Sequence, residues 1–144
     1  MKLAIASDHA GYALKQELKK AFPEHEFIDF GTHNEARADY PDTGYPAAKA
    51  VASKECEMGI VICGSGIGMS ITANKVPGIR AALCSITDIA RLSRQHNDAN
   101  VLVLAGRFTA PAYAIEIVKT WLNTPFEGGR HQNRLSKIHQ GESK

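Results

Sequence analysis

The feature that most constrains this chain is a continuously apolar run that leads into a turn with three glycines at alternate positions. The run covers residues 59–63, and the glycines are Gly64, Gly66 and Gly68. Such a run is typical of a strand buried on both faces of a parallel sheet, and the residues after the glycines predict a helix. A helix start offers unpaired N–H groups and partial positive charge. The stretch therefore predicts a pocket for an anion or a developing oxyanion, with the thiol of Cys63 at its lip.

Composition indicates one ordinary globular domain. The 144 residues are 44% hydrophobic and 22% charged, with a formal net charge of +2. This charge is too small to argue for a nucleic-acid partner. The apolar run at residues 2–6 is too short for a signal peptide or a membrane helix, so we expect no membrane partner. The three cysteines, Cys56, Cys63 and Cys84, form no CxxC pair. That argues against a disulfide framework or a zinc site and predicts a cytoplasmic setting.

Apolar runs alternate with amphipathic segments along the chain. Strands are predicted at residues 2–6, 27–30, 59–63, 78–84 and 100–105. Helices are predicted at residues 10–22, 45–56, 87–96, 111–122 and in the basic segment 128–140, with a further helix after the glycine turn. The polar segment 32–44 is predicted to be a loop of functional length. Strands alternating with helices specify an α/β fold: a Rossmann-like, five-stranded parallel sheet in a three-layer α/β/α sandwich, as a single domain over residues 1–144.

The expected strand order brings two polar turns together. Right-handed crossovers place the first strand between the second and the third. Ligands of such sheets bind beyond the carboxyl ends of the strands, where the winding reverses. Asp8 and His9 follow the first strand, while Cys63 and Gly64 end the third. We therefore expect these residues side by side at the reversal point.

The glycine turn matches neither of the common nucleotide-binding loops. Its spacing is GxGxG, whereas the dinucleotide fingerprint needs GxGxxG and an acidic residue ending the next strand. That strand ends in Cys84 followed by Ser85, and no Gly-Lys-Ser/Thr follows the turn. A small phosphate or an oxyanion fits this turn better than a nucleotide does.

The candidate cysteines and histidines each have a structural interpretation beside the functional one. Free cysteines usually pack in the core, and we expect this of Cys56 and Cys84. The helix start after Cys63 would instead favour a thiolate, which acts as a general base. His9 and His96 are also typical of surface or capping positions.

The arginines in the second half of the chain have two interpretations. Arg107 follows the fifth strand, on the edge of the sheet where ligands bind. Arg130 and Arg134 are four residues apart and share one face of a helix, which is typical of a solvated basic surface. Three arginines capable of forked contacts also suit a terminal phosphate.

Seven short motifs, distributed along the chain, point to one family, and the resemblance to it covers essentially the whole chain. They are SDHAG at 7–11, DYP at 39–41, ICGSGIG at 62–68, ANK at 73–75, GIR at 78–80, SRQHNDANVL at 93–102 and EGGRHQNR at 127–134. In this combination the chain closely resembles the type B ribose-5-phosphate isomerases, whose family includes galactose-6-phosphate and allose-6-phosphate isomerases. The resemblance implies interconversion of an aldose phosphate and its ketose, without a metal or a nucleotide cofactor.

The resemblance also implies a role for each motif residue. Cys63 would move a proton between C2 and C1 through an enediolate, with Ser65 near the same oxygens, and His96 would open the sugar ring. The substrate-binding set implied for the oxyanion, the sugar hydroxyls and the phosphate is Asp8, His9, Tyr40, Gly64, Ser65, Gly66, Ile67, Gly68, Asn97, Arg107, Arg130 and Arg134. In another branch of the family a glutamate in the following helix replaces the cysteine. Met69 occupies that position here, which favours Cys63.

The family further implies a homodimer or a dimer of dimers, in which Cys63 and His96 of different chains share one site. The leading hypothesis is interconversion of ribose 5-phosphate and ribulose 5-phosphate. The same reaction on allose 6-phosphate or galactose 6-phosphate stays open, as does a non-catalytic sugar-phosphate-binding module. Intact Cys63 and His96 favour an enzyme, because a binding module needs only the arginines and the glycine turn. A response-regulator domain is disfavoured, because Asp8 alone is poor support for a phosphoacceptor site.

Overall fold

The computed structural model describes residues 1–142 of the chain. In this part five strands alternate with helices, and a sixth helix follows the last α/β unit. The strands are β1 (Lys2–Ser7), β2 (Glu26–Asp29), β3 (Met58–Cys63), β4 (Ala81–Leu83) and β5 (Val101–Ala105). The helices are α1 (Tyr12–Ala21), α2 (Tyr40–Ala52), α3 (Ile67–Asn74), α4 (Thr87–Asn97), α5 (Pro111–Leu122) and α6 (Arg130–Gln140).

The strands form one parallel sheet in the order β2-β1-β3-β5-β4. β1 lies between β2 and β3, as the right-handed crossover rule predicts. Ser7 of β1 is opposite Ile62 of β3, and Cys63 is opposite Ala105 of β5. The turns after β1, β3 and β5 therefore emerge next to one another at the carboxyl edge of the sheet.

Helices cover both faces of the sheet. On one face Val61 packs in a core with Met69 of α3 and the alanines of α2. On the other face Ile62 packs with Leu18 of α1 and the fully buried Trp121 of α5. This arrangement confirms the predicted three-layer α/β/α sandwich with a Rossmann-like sheet. Within residues 1–142, no helix combines the length and the apolar character needed to cross a bilayer.

The C-terminal helix α6 lies outside these layers and is anchored at both ends. Near its start, His131 and Leu135 are buried, and the helix packs against α4. Near its end, the Arg80 guanidinium lies 2.7 Å from His139 Nε2, and the Gly78 N–H donates to Glu142 Oε1 at 3.0 Å. A few polar contacts thus fix the basic helix that the sequence predicts.

The second helix begins earlier than the sequence predicts. The expected helix starts at residue 45, whereas α2 starts at Tyr40, so the loop before it is shorter. Pro41 is tolerated because an N–H in the first turn has no intrahelical partner. Gly44 is required because a Cβ there would lie 2.6 Å from the sulfur of Met69. Both residues normally signal a turn, and they concealed the first turn of this helix.

The other boundary errors are smaller. The fourth strand keeps only Ala81–Leu83 of the predicted 78–84. Gly78 has a φ of +89°, and the Arg80 N–H donates to the side-chain oxygen of Asn100 at 2.8 Å, so neither residue extends the strand.

A buried lysine ties α1 to the end of β2. Lys15 is fully buried, and its Nζ donates to Asp29 Oδ1 at 2.8 Å and to the carbonyl of Thr32. Lys19 binds the other oxygen of the same carboxylate at 2.9 Å. Burial alone would raise the pKa of Asp29, but hydrogen bonds from the two lysines outweigh this and lower it. The cluster fixes the start of the segment that leads to Tyr40.

Lys15→Met should destabilise the fold far more than Lys19→Met. The first change removes the buried partner of Asp29, which typically costs about 3 kcal/mol or more. The second removes an ammonium that is 33% exposed, where a pair contributes about 1 kcal/mol or less. Urea denaturation of the two variants measures the difference. Equal losses would show that the buried pair is not the stabilising contact.

Candidate active site

The turn after β3 puts a cysteine directly before a helix. Cys63 is the last residue of the strand and is only 3% exposed, and α3 begins four residues later at Ile67. Gly66 has a φ of +79°, and a Cβ there would lie 2.5 Å from the side chain of Leu83. Glycine therefore permits both the conformation and the packing of the turn. The Ser65 hydroxyl accepts a hydrogen bond from the Ile67 N–H at 3.2 Å, which holds the turn closed.

The neighbouring turns are hydrogen-bonded to this one. The Asp8 N–H donates to the carbonyl of Ile62 at 3.2 Å. The N–H groups of Gly106 and Arg107, which follow β5, donate to the carbonyls of Cys63 and Gly64 at 2.8 and 3.0 Å. A predicted contact is thereby confirmed, because Asp8 and Cys63 do lie at adjacent strand ends.

These turns surround a cavity of about 490 Å³. Its lining residues are Asp8, Tyr40, Cys63, Gly64, Ser65, Ile67, Gly68, Ile71, Arg107 and Phe108. All but two of them belong to the set predicted from the sequence. The cavity therefore brings together a thiol, a helix start, a carboxylate and a guanidinium.

Two side chains lie across the glycine turn. The Tyr40 ring packs so closely on α3 that a Cβ at Gly68 would lie 2.5 Å from it. The Arg107 guanidinium rests on Gly64, where a Cβ would be 3.2 Å from Nη1. Within residues 1–142, no carboxylate pairs with Arg107. The arginine is therefore available for an anionic group in the cavity.

The sequence analysis missed two apolar residues of this cavity. Ile71 lies one helical turn after Ile67, and both are more than half exposed. Phe108 follows Arg107 and is 82% exposed. Their apolar character concealed them, because periodicity assigns such residues to a core. Only the position of Phe108, next to a predicted phosphate ligand, offered a signal.

The remaining predicted residues do not line this cavity. His9 contacts the backbone of Ala38 through Nδ1 at 3.2 Å. Asn97, at the end of α4, lines a second cavity of about 240 Å³. Arg130 and Arg134 are exposed on α6, and no carboxylate within residues 1–142 pairs with either.

His96 belongs to a cluster at the junction of α4 and α6. Its ring stacks on that of His131, with centroids 4.4 Å apart and planes at 17°. Glu127 Oε1 lies 4.0 Å from Nε2 of His96 and 3.5 Å from Nε2 of His131. Burial, followed by the charge of Arg130, lowers the pKa of His131. Neither Glu127 nor His131 was given a role by the sequence analysis, although both lie in the EGGRHQNR motif.

This cluster is also the group that comes nearest to a metal site in the described part of the chain. His96, Glu127 and His131 each offer one donor atom, and these atoms lie within 4.8 Å of one another. The two rings, however, are nearly parallel and face each other. Their nitrogen lone pairs therefore do not converge on one ion, as a tetrahedral site requires. The arrangement suits proton transfer better than metal binding.

The other two cysteines are buried away from both sites. Cys84 is fully buried, and burial raises its pKa to about 11. Burial also raises the pKa of Cys56. The structure thus confirms the expectation that these two thiols pack in the core, and neither is suited to act as a base near neutral pH.

Comparison with known proteins extends over the whole chain. A family model described as Ribose/Galactose Isomerase matches residues 3–138. Ribose-5-phosphate isomerase B of Escherichia coli K12 is 48% identical over 139 residues, which are 95% of this chain and 93% of that protein. The structure of ribose-5-phosphate isomerase B from Clostridium thermocellum is similar with a TM-score of 0.98 and 53% identity, over 99% of this chain and 98% of that one.

A further solved relative carries a sugar phosphate. Ribose-5-phosphate isomerase B of Mycoplasma genitalium, determined with bound ribulose-5-phosphate, has a TM-score of 0.94 and 40% identity, over 99% of this chain and 97% of that one. The family match includes the glycine turn, the end of α4 and most of α6. The chain therefore belongs to the ribose/galactose isomerase family, with the type B ribose-5-phosphate isomerases as its relatives, and is a sugar-phosphate aldose–ketose isomerase.

Proposed function

We propose that this chain interconverts ribose 5-phosphate and ribulose 5-phosphate. The observation that carries the proposal is the cavity in which Cys63, the glycine turn and the unpaired Arg107 meet. Removal of a proton next to a carbonyl needs a base, a site for the oxyanion and a handle on the substrate. This cavity offers all three. The pentose phosphate bound by the Mycoplasma genitalium relative supports ribose 5-phosphate over a hexose phosphate.

In the proposed proton transfer, Cys63 acts as the base. Its thiolate takes the proton from C2 of the open-chain aldose, and the electrons of that bond form the C1–C2 double bond of an enediolate. The proton of the C2 hydroxyl then passes to O1, the C2 carbonyl forms, and the thiol returns its proton to C1. The N–H groups at the start of α3, together with the Ser65 hydroxyl, stabilise the negative charge on the oxygens.

Ring opening precedes this step, and we assign it to His96. The imidazole donates a proton to the ring oxygen, the bond from that oxygen to C1 breaks, and a proton is recovered from the C1 hydroxyl. A histidine suits this exchange because its ordinary pKa lies near neutrality.

Binding is assigned to the remaining predicted residues. Asp8 holds one carboxylate oxygen against the Gly11 N–H at 3.0 Å, which leaves the other oxygen for a sugar hydroxyl. His9 and Asn97 are assigned to further hydroxyls, and Tyr40 lines the cavity. The phosphate is assigned to three arginines without acidic partners in residues 1–142, namely Arg107, Arg130 and Arg134.

We infer that a second copy of the chain completes each site. Cys63 lies in the cavity, whereas His96 lies in the separate cluster between α4 and α6. Large apolar side chains are exposed around the cavity and on α4, among them Phe108, Ile89 and Leu92. Such surfaces are typical of subunit interfaces. A two-fold dimer would place the α4–α6 cluster of each copy over the cavity of the other, which gives two shared sites.

The substrate assignment predicts a preference in kcat/KM. Ribose 5-phosphate should be converted at least about tenfold more efficiently than allose 6-phosphate or galactose 6-phosphate, because the cavity must place C1, C2 and the phosphate together. Steady-state assays with the three sugars in parallel test this. A preference for a hexose phosphate would contradict the proposed substrate, and inactivity on all three would favour a binding module.

Cys63→Ala should lower kcat by about a thousandfold, while KM stays within a few-fold, since the base is lost and the binding groups remain. Cys84→Ala is the matched control, because it removes a thiol that burial keeps protonated. It should leave kcat nearly unchanged. If Cys63→Ala keeps its kcat within a few-fold of the unaltered chain, the base lies elsewhere.

The shared site predicts complementation between two inactive variants. A dimer of one Cys63→Ala chain and one His96→Asn chain contains one site with both groups intact and one with neither. Such a mixed dimer, purified with two different tags, should recover about half the activity of the unaltered dimer. If each chain carries a complete site, the mixed dimer stays inactive.

A further inference from the structure

The cluster around His96 contains two residues, Glu127 and His131, that have no part in the reaction proposed above. Glu127 presents Oε1 to the Nε2 atoms of both histidines, at 4.0 and 3.5 Å. His131 stacks on His96 and is only 4% exposed, and its Nε2 is buried without a hydrogen-bond partner among the described residues. A buried polar atom without a partner costs free energy, so its retention calls for a reason.

The backbone holds these residues against His96. The Glu127 N–H donates to the carbonyl of Gln95 at 3.1 Å, next to His96 in the chain. Gly128 and Gly129 follow with positive φ values of +71° and +58°. This turn lets Glu127 in the loop and His131 on α6, four residues apart, both lie beside His96.

The two stacked rings are in different electrostatic environments. Burial lowers the pKa of His131, and the nearby Arg130, His96 and Arg134 lower it further, while the charge of Glu127 acts in the opposite direction. Two charged imidazoles at a centroid distance of 4.4 Å would also repel each other. The His96 side chain is 39% exposed, compared with 5% for His131, and Glu127 is the carboxylate beside both rings.

We propose that Glu127 and His131 are positioning residues for His96. The Glu127 carboxylate stabilises the protonated His96 imidazole, which gives its proton to the ring oxygen of the sugar. It thereby offsets the positive charge of the arginines on α6, which disfavours that protonated form. The buried His131 ring provides the face that fixes the plane of the His96 ring. This inference rests on the proposed role of His96 in ring opening.

Two rates measured on the same protein separate ring opening from the step at Cys63. Formation of ribulose 5-phosphate from ribose 5-phosphate needs both ring opening and proton transfer at Cys63, because the aldose is almost entirely ring-closed. Exchange of a C1 hydrogen of ribulose 5-phosphate for deuterium in D₂O needs only enolisation of an open-chain ketose. Proton NMR follows the exchange, and His96→Asn and Cys63→Ala serve as references. His96→Asn should lose turnover of ribose 5-phosphate and keep deuterium exchange, while Cys63→Ala should lose both activities.

Glu127→Gln removes the charge and keeps the size of the side chain. Turnover of ribose 5-phosphate should fall by about tenfold or more, since a supported acid–base group contributes on this scale. Deuterium exchange should stay within about twofold, and Glu127→Asp should recover part of the turnover. Glu116→Gln, which changes an exposed glutamate on α5, is the matched control and should alter neither rate.

Two results would overturn the assignment of Glu127. Turnover of Glu127→Gln within twofold of the unaltered chain would show that His96 does not depend on the carboxylate. Equal losses of turnover and exchange would show a structural effect that reaches Cys63. Failure of the proposed function looks different, because the unaltered chain would then convert no ribose 5-phosphate and exchange no deuterium into ribulose 5-phosphate, and both proposals would fall.

Discussion

Three backbone turns meet at the carboxyl edge of the sheet, closer together than side chains would allow, and the cavity of the candidate active site is built on this contact. A Cβ at Gly106 would lie 2.9 Å from the carbonyl oxygen of Ala10 and 3.1 Å from the Cα of Gly11. The same turn donates two hydrogen bonds to the carbonyls of Cys63 and Gly64. The turns after β1, β3 and β5 are thus packed and hydrogen-bonded together, and they bring the Asp8 carboxylate, the Cys63 thiol and the Arg107 guanidinium to one cavity.

The fold also separates Cys63, the proposed base, from the two other thiols. All three cysteines are buried as residues, but only Cys63 lines the cavity at the start of a helix. Cys84 illustrates the alternative, because it lines neither of the two cavities described above and desolvation raises its pKa to about 11. Burial alone would therefore not distinguish a base from a packing residue. What distinguishes Cys63 from the other two cysteines is its position in the lining of the cavity.

The sequence predicts the parts of this molecule in which local signals agree with the tertiary structure. The apolar run before Cys63, the alternate glycines after it and the handedness of crossovers predict the central strands and the glycine turn. Pro41 and Gly44 normally indicate a turn, yet both lie in a helix here. Pro41 is tolerated in the first turn, where an N–H has no intrahelical partner, and Gly44 is required because Met69 leaves no room for a side chain. Residues such as Phe108 cannot be assigned from periodicity, because their exposure depends on how the turns meet. The separation of His96 from Cys63 depends on the path of the whole chain, which no local motif reports.

The way α6 is attached has a consequence for how this protein loses its function. Cys63 ends the central strand β3, which is paired with β1 and β5. This strand opens only when the sheet itself opens. Helix α6 is held by two buried side chains and by polar contacts of Arg80 and Gly78 near its end. Regions with few buried contacts open locally at much lower free energy than the core. We therefore expect α6, whose His131 stacks on His96, to open at a lower free energy of unfolding than the strand that carries Cys63.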